Sequence, residues 1–282
     1  MKKRGDYHAG QTRYRDLDFN NSRLRHLRRD MMTTTPIQEL EGKVAIVTGA
    51  AGGIGEAVAT LFAERGAYVV AEDIKPSVVE LEQRSERIAA LVGDVAEEST
   101  AQRAVALAIE RFGRVDILVN NAAVILNVNV TDMSIEQWDK VMNINARGMF
   151  LHSREAMRVM VDNKRGAIVN VGSYACQVAF PTIGAYAASK GAVAQLTKVL
   201  ALEGAPHNIR ANVVAPGDVE TGILDDIMPD GRAFLREHAT HAPIGRVAQP
   251  REIAEVIAFV ASDRASFMTG SVVMADGGYT TV

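Results

Sequence analysis

Tyr186 and Lys190 stand four residues apart in Tyr186-Ala-Ala-Ser-Lys190, and in a helix that spacing places both side chains on one face, one turn apart. A phenol titrating near ~10 is a poor base at neutral pH, and a neighbouring ammonium favours its ionised form. Such a pair can exchange a proton with a small-molecule oxygen. Ser173 lies thirteen residues upstream, after a β-branched run, where its hydroxyl could hold that oxygen near the phenol. Alone, the Tyr-x-x-x-Lys pattern is frequent by chance and reads first as an ordinary pair on a helix surface.

A second group of residues suits a phosphate. The apolar run V-A-I-V-T at 44–48 passes into the glycine-rich stretch T-G-A-A-G-G-I-G at 48–55 and then into a helical pattern through Val58, Leu61 and Phe62. Glycines there let the backbone turn tightly and approach a pyrophosphate, while a helix N-terminus offers free N–H groups and positive dipole. An isolated glycine cluster also fits a tight turn with no ligand, but strand, glycines and helix follow in order here. Asp73 comes 18 positions after Gly55. An acid at that point can accept hydrogen bonds from ribose hydroxyls and repels the 2′-phosphate of NADP, so NAD is expected over NADP. Lys75, two residues on, is the feature that argues the other way.

The elements that must position these groups alternate along the chain. Short apolar runs at 44–48, 67–71, 89–92, 115–119, 167–171, 211–215 and 271–274 predict seven strands. Helical spacing predicts a helix from near Pro76, one carrying Val105, Ala108 and Ile109 that stops at Gly113, and one spanning 184–204. A last one opens at Pro250. Ser134 with Gln137 forms a capping-box pattern before a helix expected to run to about residue 162. Continuous apolar strands alternating with helices imply a seven-stranded parallel sheet covered on both faces, a doubly wound α/β fold of the Rossmann type in one domain. Residues 217–249 lack a clear period and are expected to form a lid or binding loop over a substrate.

Composition bounds the rest. The 282 residues are 48% apolar and 23% charged, which excludes whole-chain disorder, collagen and coiled coil. No apolar run approaches the roughly 18 residues of a membrane span, so no membrane association is expected. Cys176 is the one cysteine; it allows no intrachain disulfide and fits a reducing, cytoplasmic location. The net charge of −3 joins a segment 1–35 carrying +5 to a remainder, 36–282, carrying −8. The basic segment lacks the apolar core of a secretory signal, and Asp6, Asp16, Asp18 and Asp30 count against a mitochondrial leader. Its Arg-rich run has no nucleic-acid module around it. We read it as a disordered extension, or as sequence upstream of a start at Met31 or Met32.

Together these signals make the chain, from about Leu40 onward, resemble the short-chain dehydrogenase/reductase family. The resemblance rests on the glycine-rich stretch, Asp94-Val95, N-N-A-A at 120–123, Asn145 in M-N-I-N-A, Ser173, Tyr186-x-x-x-Lys190, Pro216-Gly217-x-Val219-x-Thr221 and D-G-G at 276–278. It implies that Tyr186 is the proton donor or acceptor, that Lys190 lowers its pKa and holds the nicotinamide ribose, that Ser173 orients the reacting oxygen, and that Asn145 holds a water of a proton relay. It further implies that Gly49, Gly53, Ile54 and Gly55 line the pyrophosphate, Asp94 and Val95 border the adenine, Asn121 approaches the cofactor, and Val219 and Thr221 secure the nicotinamide amide. The activity implied is NAD(H)-dependent interconversion of a secondary alcohol and a ketone, in a homotetramer. The alternatives are an NADPH-dependent 3-oxoacyl thioester reductase and a non-catalytic cofactor-binding scaffold. Two positions depart from the family pattern: Ala123 stands where a glycine is usual, and Gly172 where a serine is usual. Cys176 and Trp138 are read as packing residues, and His238 with His241 as too few ligands for a metal site, so no metal is expected. Asp218 and Glu220 are left open between substrate and solvent. Tyr174, Gln177, Val124, Ile125 and Ile183 are candidate pocket residues.

Overall fold

The structure, a computed structural model, describes residues 38–282 apart from Asp226. These residues form one compact unit; the expectation for the basic segment 1–35 lies outside them. Seven strands form one parallel sheet: β1 Val44–Thr48, β2 Tyr68–Asp73, β3 Ile88–Val92, β4 Ile117–Asn120, β5 Gly166–Val171, β6 Ile209–Pro216 and β7 Val272–Ala275. Their order is β3-β2-β1-β4-β5-β6-β7. This is the doubly wound fold that the alternating pattern predicts.

Helices cover both faces because the strands are apolar on both. On one face, α1 (Gly53–Glu64) and α8 (Pro250–Ala261) bury Val58, Phe62, Ile253 and Ile257 against Val47, Val69 and Val169. On the other, α3 (Glu98–Phe112), α5 (Met149–Asn163) and α6 (Gly184–Gly204) bury Val105, Met160 and Val193 against Ile46, Leu118 and Ile168. Each such aliphatic side chain contributes about 1.5–3 kcal/mol by leaving water. A short helix α2 (Glu80–Arg84) follows the turn opened by Pro76.

The strand order reverses between β1 and β4, and crevices that bind ligands open at the carboxyl ends of strands at such a reversal. Thr48 and Asn120 end those two strands, so the glycine-rich loop and the N-N-A-A stretch meet there. The Thr48 hydroxyl joins them by accepting from the backbone N–H of Asn121 and of Ala122, at 3.0 and 3.1 Å.

Three details differ from the sequence pattern. The helix opened by the Ser134–Gln137 capping box is α4 (Ile135–Met142), and a wide π-helical turn at Asn143–Gly148 separates it from α5. That turn carries Asn145. Segment 217–249 contains a helix, α7 (Gly231–His238), whose two turns are too short to show a period. Trp138 is 39% exposed rather than packed.

A buried ion pair joins β2 to α5. Glu72 and His152 are both almost fully inaccessible; His152 Nε2 lies 3.0 Å from Glu72 Oε2, and its Nδ1 lies 2.9 Å from the Gly148 carbonyl oxygen at the end of the π turn. Burial alone would depress the imidazole, but the Glu72 carboxylate outweighs it and holds His152 above the ordinary histidine value. Among the described residues the Glu72 Oε1 atom has no hydrogen-bond partner. Removing one member should therefore strand a buried charge. Replacing His152 by Leu is expected to cost about 3–5 kcal/mol in urea unfolding, and adding Glu72→Leu should recover most of that loss. A double variant no more stable than the single one would show that packing, and not charge, carries the effect.

Candidate active site

Ser173 follows β5 by two residues and caps a single 3-10 turn, Tyr174–Cys176, with its Oγ accepting from Ala175 N at 3.1 Å. Gly172 precedes it because a Cβ there would lie 2.6 Å from Val213 Cγ1. Tyr186 and Lys190 lie in the first two turns of α6 and are buried. The Lys190 ammonium donates to the Val171 carbonyl oxygen at 2.7 Å and sits 5.5 Å from the centre of the Tyr186 ring. One hydrogen bond thus fixes the helix carrying Tyr186 to the end of the strand that leads to Ser173. Asn145 is buried beside them. Its Oδ1 accepts from Val124 N, and its Nδ2 donates to Val124 O and to Ser189 Oγ, so its side chain braces the π turn against the chain after β4 and against α6.

The electrostatics differ from the expectation of a phenol favoured as phenolate. Burial pushes Tyr186 up to about 12, and the nearby Ser173 hydroxyl acts in the opposite direction without overcoming it. Burial also pulls Lys190 down to about 8. In a water-poor pocket each group favours its neutral form more than it would at a surface. The protein on its own therefore stores Tyr186 as a proton donor.

Two clefts adjoin here, and this wall belongs to the first. The first is lined by Ser173, Tyr186 and Lys190 with an apolar side that includes Ile125, Phe180, Ile183, Leu224 and Met228. The second runs along the glycine-rich loop past Gly52, Gly53, Asp73, Asp94 and Val95. Ile54, Asn121, Ala123 and Thr221 border both, while Val219 borders the first. Asn121 does so while tying the loop down, its Nδ2 donating to the carbonyl oxygens of Thr48 and Gly49 at 3.0 and 3.1 Å.

The second cleft fits a dinucleotide. Helix α1 begins at Gly53 with Gly52 as its cap, no side chain among the described residues caps its first N–H groups, and a Cβ on Gly52 would meet none of the described atoms. Gly49 and Gly55 are required by close packing, since a Cβ on Gly55 would lie 2.0 Å from the Gly49 carbonyl oxygen. Asp73 accepts from Ala51 N and Lys75 N, both at 2.9 Å, and its two oxygens keep lone pairs for further donors. Asp94 is held by a bond from Ala96 N.

Sequence reasoning missed one group in the first cleft. The Asp218 carboxylate is buried between the Tyr174 hydroxyl and His238 Nδ1, at 2.9 and 2.8 Å. Tyr174 was a candidate pocket residue, but nothing in the sequence pairs it with Asp218 or His238. Glu220 turns away to Arg236 and Gln249. Gln177 does not line the cleft, and Val124 lines only the second.

The family model described as Enoyl-(Acyl carrier protein) reductase matches residues 49–280. The chain is 38% identical over 244 residues to the 3-oxoacyl-[acyl-carrier-protein] reductase FabG of Thermotoga maritima, covering 85% of this chain and 98% of the relative. The chain belongs to the short-chain dehydrogenase/reductases. It is also 40% identical over 242 residues to the NAD-dependent glycerol dehydrogenase of Listeria innocua, covering 84% of this chain and 94% of that one. The crystal structure of gox2181 superposes with a TM-score of 0.81 at 38% identity, covering 88% of this chain and all of that one. Members of this family are oxidoreductases, and this chain shares their fold.

The buried lysine makes a prediction about stability. A lysine with a folded value near 8 binds fewer protons than the unfolded chain between pH 8 and 10.5, so its burial destabilises the fold fully below pH 8 and progressively less up to 10.5. The raised Tyr186 acts only above about pH 10 and with the opposite slope. Lys190→Met should therefore stabilise the cofactor-free protein by about 1–3 kcal/mol at pH 7, with the gain shrinking by pH 10. Urea unfolding at the two pH values reads it; an equal effect at both would show that Lys190 is not buried as an ammonium.

Proposed function

We propose that the protein is an NAD(H)-dependent oxidoreductase that interconverts a secondary alcohol and a ketone. The observation that carries this reading is the convergence of Ser173, Tyr186 and Lys190 on one wall of the first cleft, which shares Ile54, Asn121, Ala123 and Thr221 with the second. Ser173 holds the reacting oxygen by a hydrogen bond, and Tyr186 gives it a proton in reduction or takes one in oxidation. Lys190 sets the charge around the phenol and, with Val219 and Thr221, offers polar and apolar contacts to a nicotinamide riboside. Asn145 keeps the π turn against α6 and would hold a water of a proton relay. Gly49, Gly53, Ile54 and Gly55 would hold the pyrophosphate against the α1 N-terminus, and Asp94 and Val95 would border the adenine. The nicotinamide, when bound, accepts or supplies the hydride.

Asp73 favours NAD, since its carboxylate can receive ribose hydroxyls and repels a 2′-phosphate. A second reading, an NADPH-dependent 3-oxoacyl thioester reductase, draws on the FabG relative and on Lys75 at the mouth of the cleft. Rates with NADH and NADPH side by side separate the two. We further propose a homotetramer: β7 is a half-exposed edge strand, and Leu202 on α6 and Phe150 on α5 are exposed. Among the described residues no helix is long and apolar enough to cross a membrane. The single cysteine supports a cytoplasmic location.

Tyr186→Phe should lower turnover about 10²–10⁴-fold while NADH still binds, as read by its fluorescence. An active Phe variant, or loss of NADH binding, would remove Tyr186 from the proton step. Asp73→Ser should raise the NADPH-to-NADH ratio of kcat/KM by roughly tenfold or more, as loss of one unfavourable charge contact implies; an unchanged ratio would discharge Asp73 from cofactor choice.

A further inference from the structure

The first cleft holds a polar network that the proton chemistry does not use. Tyr174 directly follows Ser173, Asp218 directly precedes Val219, and His238 ends α7, so three separate segments deliver it to the cleft. The Asp218 side chain is 6% exposed; its Oδ1 accepts from the Tyr174 hydroxyl, and its Oδ2 is bonded to His238 Nδ1. Burial first, and the Asp218 charge next, hold the Tyr174 phenol far above its ordinary range, so it remains a donor. The His238 ring is fixed as well. It stacks on Phe234 and Tyr279 at 5.7 and 5.6 Å and meets Phe180 edge-on at 5.7 Å.

This arrangement decides what His238 has left to offer. A carboxylate only accepts, so Nδ1 must carry a hydrogen, and in neutral imidazole Nε2 is then an acceptor. No group among the described residues bonds Nε2, and His238 lines the cleft with 21% of its side chain exposed. The side of the cleft around it is apolar, with Leu224, Met228, Phe234 and Leu235. With the imidazole neutral, Nε2 is an acceptor held in this wall, and it is matched by a ligand that brings a donor. A hydroxyl does so; an alkyl group, ketone or thioester does not. A carboxylate is disfavoured because Asp218 already places one negative charge beside the imidazole.

We propose that Tyr174, Asp218 and His238 form a receptor for a second substrate hydroxyl, and that the enzyme selects diols and polyols over simple secondary alcohols. The inference rests on the alcohol-oxidising reading above and narrows its substrate class. His238 is the contacting group; Asp218 and Tyr174 are positioning residues that set its tautomer and orientation. Leaving the acceptor unmatched is what penalises the simple alcohol, as in other sites built around a substrate hydroxyl.

The test compares kcat/KM for 2,3-butanediol and 2-butanol with NAD. The wild-type protein should favour the diol by about tenfold or more, mostly through KM. His238→Phe, which keeps the aromatic stacking, should bring the diol-to-alcohol ratio towards one, and His238→Asn, which keeps an acceptor, should retain part of the preference. Nitrogen-15 spectra of the imidazole should show the Nδ1–H form in the wild type and its loss in Asp218→Asn, a signature that a merely structural role would not move. A wild-type ratio near one, or a ratio untouched by His238→Phe, overturns the receptor while leaving the alcohol-oxidising reading intact. No oxidation of either alcohol with NAD or NADP overturns both.

Discussion

The bond from the Lys190 ammonium to the Val171 carbonyl is the interaction on which the site depends. It joins α6 to the end of β5, and through those two elements it places the Tyr186 phenol on the same wall as the Ser173 hydroxyl. Burying an ammonium is unfavourable, and the fall of Lys190 to about 8 measures that tension. A hydrophobic residue there would suit the fold better. The lysine stands where its charge and its three donors have a use, in the wall of the first cleft.

The same logic runs beneath the sheet's carboxyl end. Asn120 and Asn170 face each other across β4 and β5, and the Asn120 amide donates to both Ser153 Oγ and Asn170 Oδ1. Asn170 in turn donates to Thr197 Oγ1 on α6, and Thr197 to the Val193 carbonyl. Together with Asn145, these bonds fix α5, the π turn and α6 relative to strands that could otherwise slide along featureless apolar faces. Polar bonds in a buried layer are directional, whereas aliphatic packing is not. The layer that positions the helix carrying Tyr186 is therefore the polar one.

What the sequence made legible was local or periodic. The apolar runs predicted all seven strands because a parallel sheet buries both faces, and the glycine-rich loop was readable because its neighbours in sequence are its neighbours in space. The π turn was invisible, since shifting a hydrogen bond from i+4 to i+5 asks for no change of residue type. The Glu72–His152 pair spans 80 positions, and the Tyr174–Asp218–His238 network spans 44 and 20. No period connects residues so far apart. The pull of burial on the Tyr186 phenol is hidden for a related reason: proximity to Lys190 is encoded by spacing, but the burial that pushes the phenol up is a property of the assembled walls.

That difference bears on how the two clefts evolve their tasks. The second cleft is built largely from backbone, with glycines, a bare helix end and the carboxylates of Asp73 and Asp94, and backbone geometry is fixed by the fold. The substrate side is built from side chains on a short 3-10 turn, a loop and the two-turn helix α7, whose packing rests on the small cluster of Leu224, Leu235, Ala239 and Val247. Changing His238 or Asp218 would disturb their bonds to each other and to Tyr174 and the rings of Phe180, Phe234 and Tyr279 around the imidazole, whereas a side chain at Gly55 would strike the Gly49 carbonyl in the turn after β1. The fold and the glycine-rich cleft can thus stay constant while the side chains that α7 and its partners present to the first cleft change.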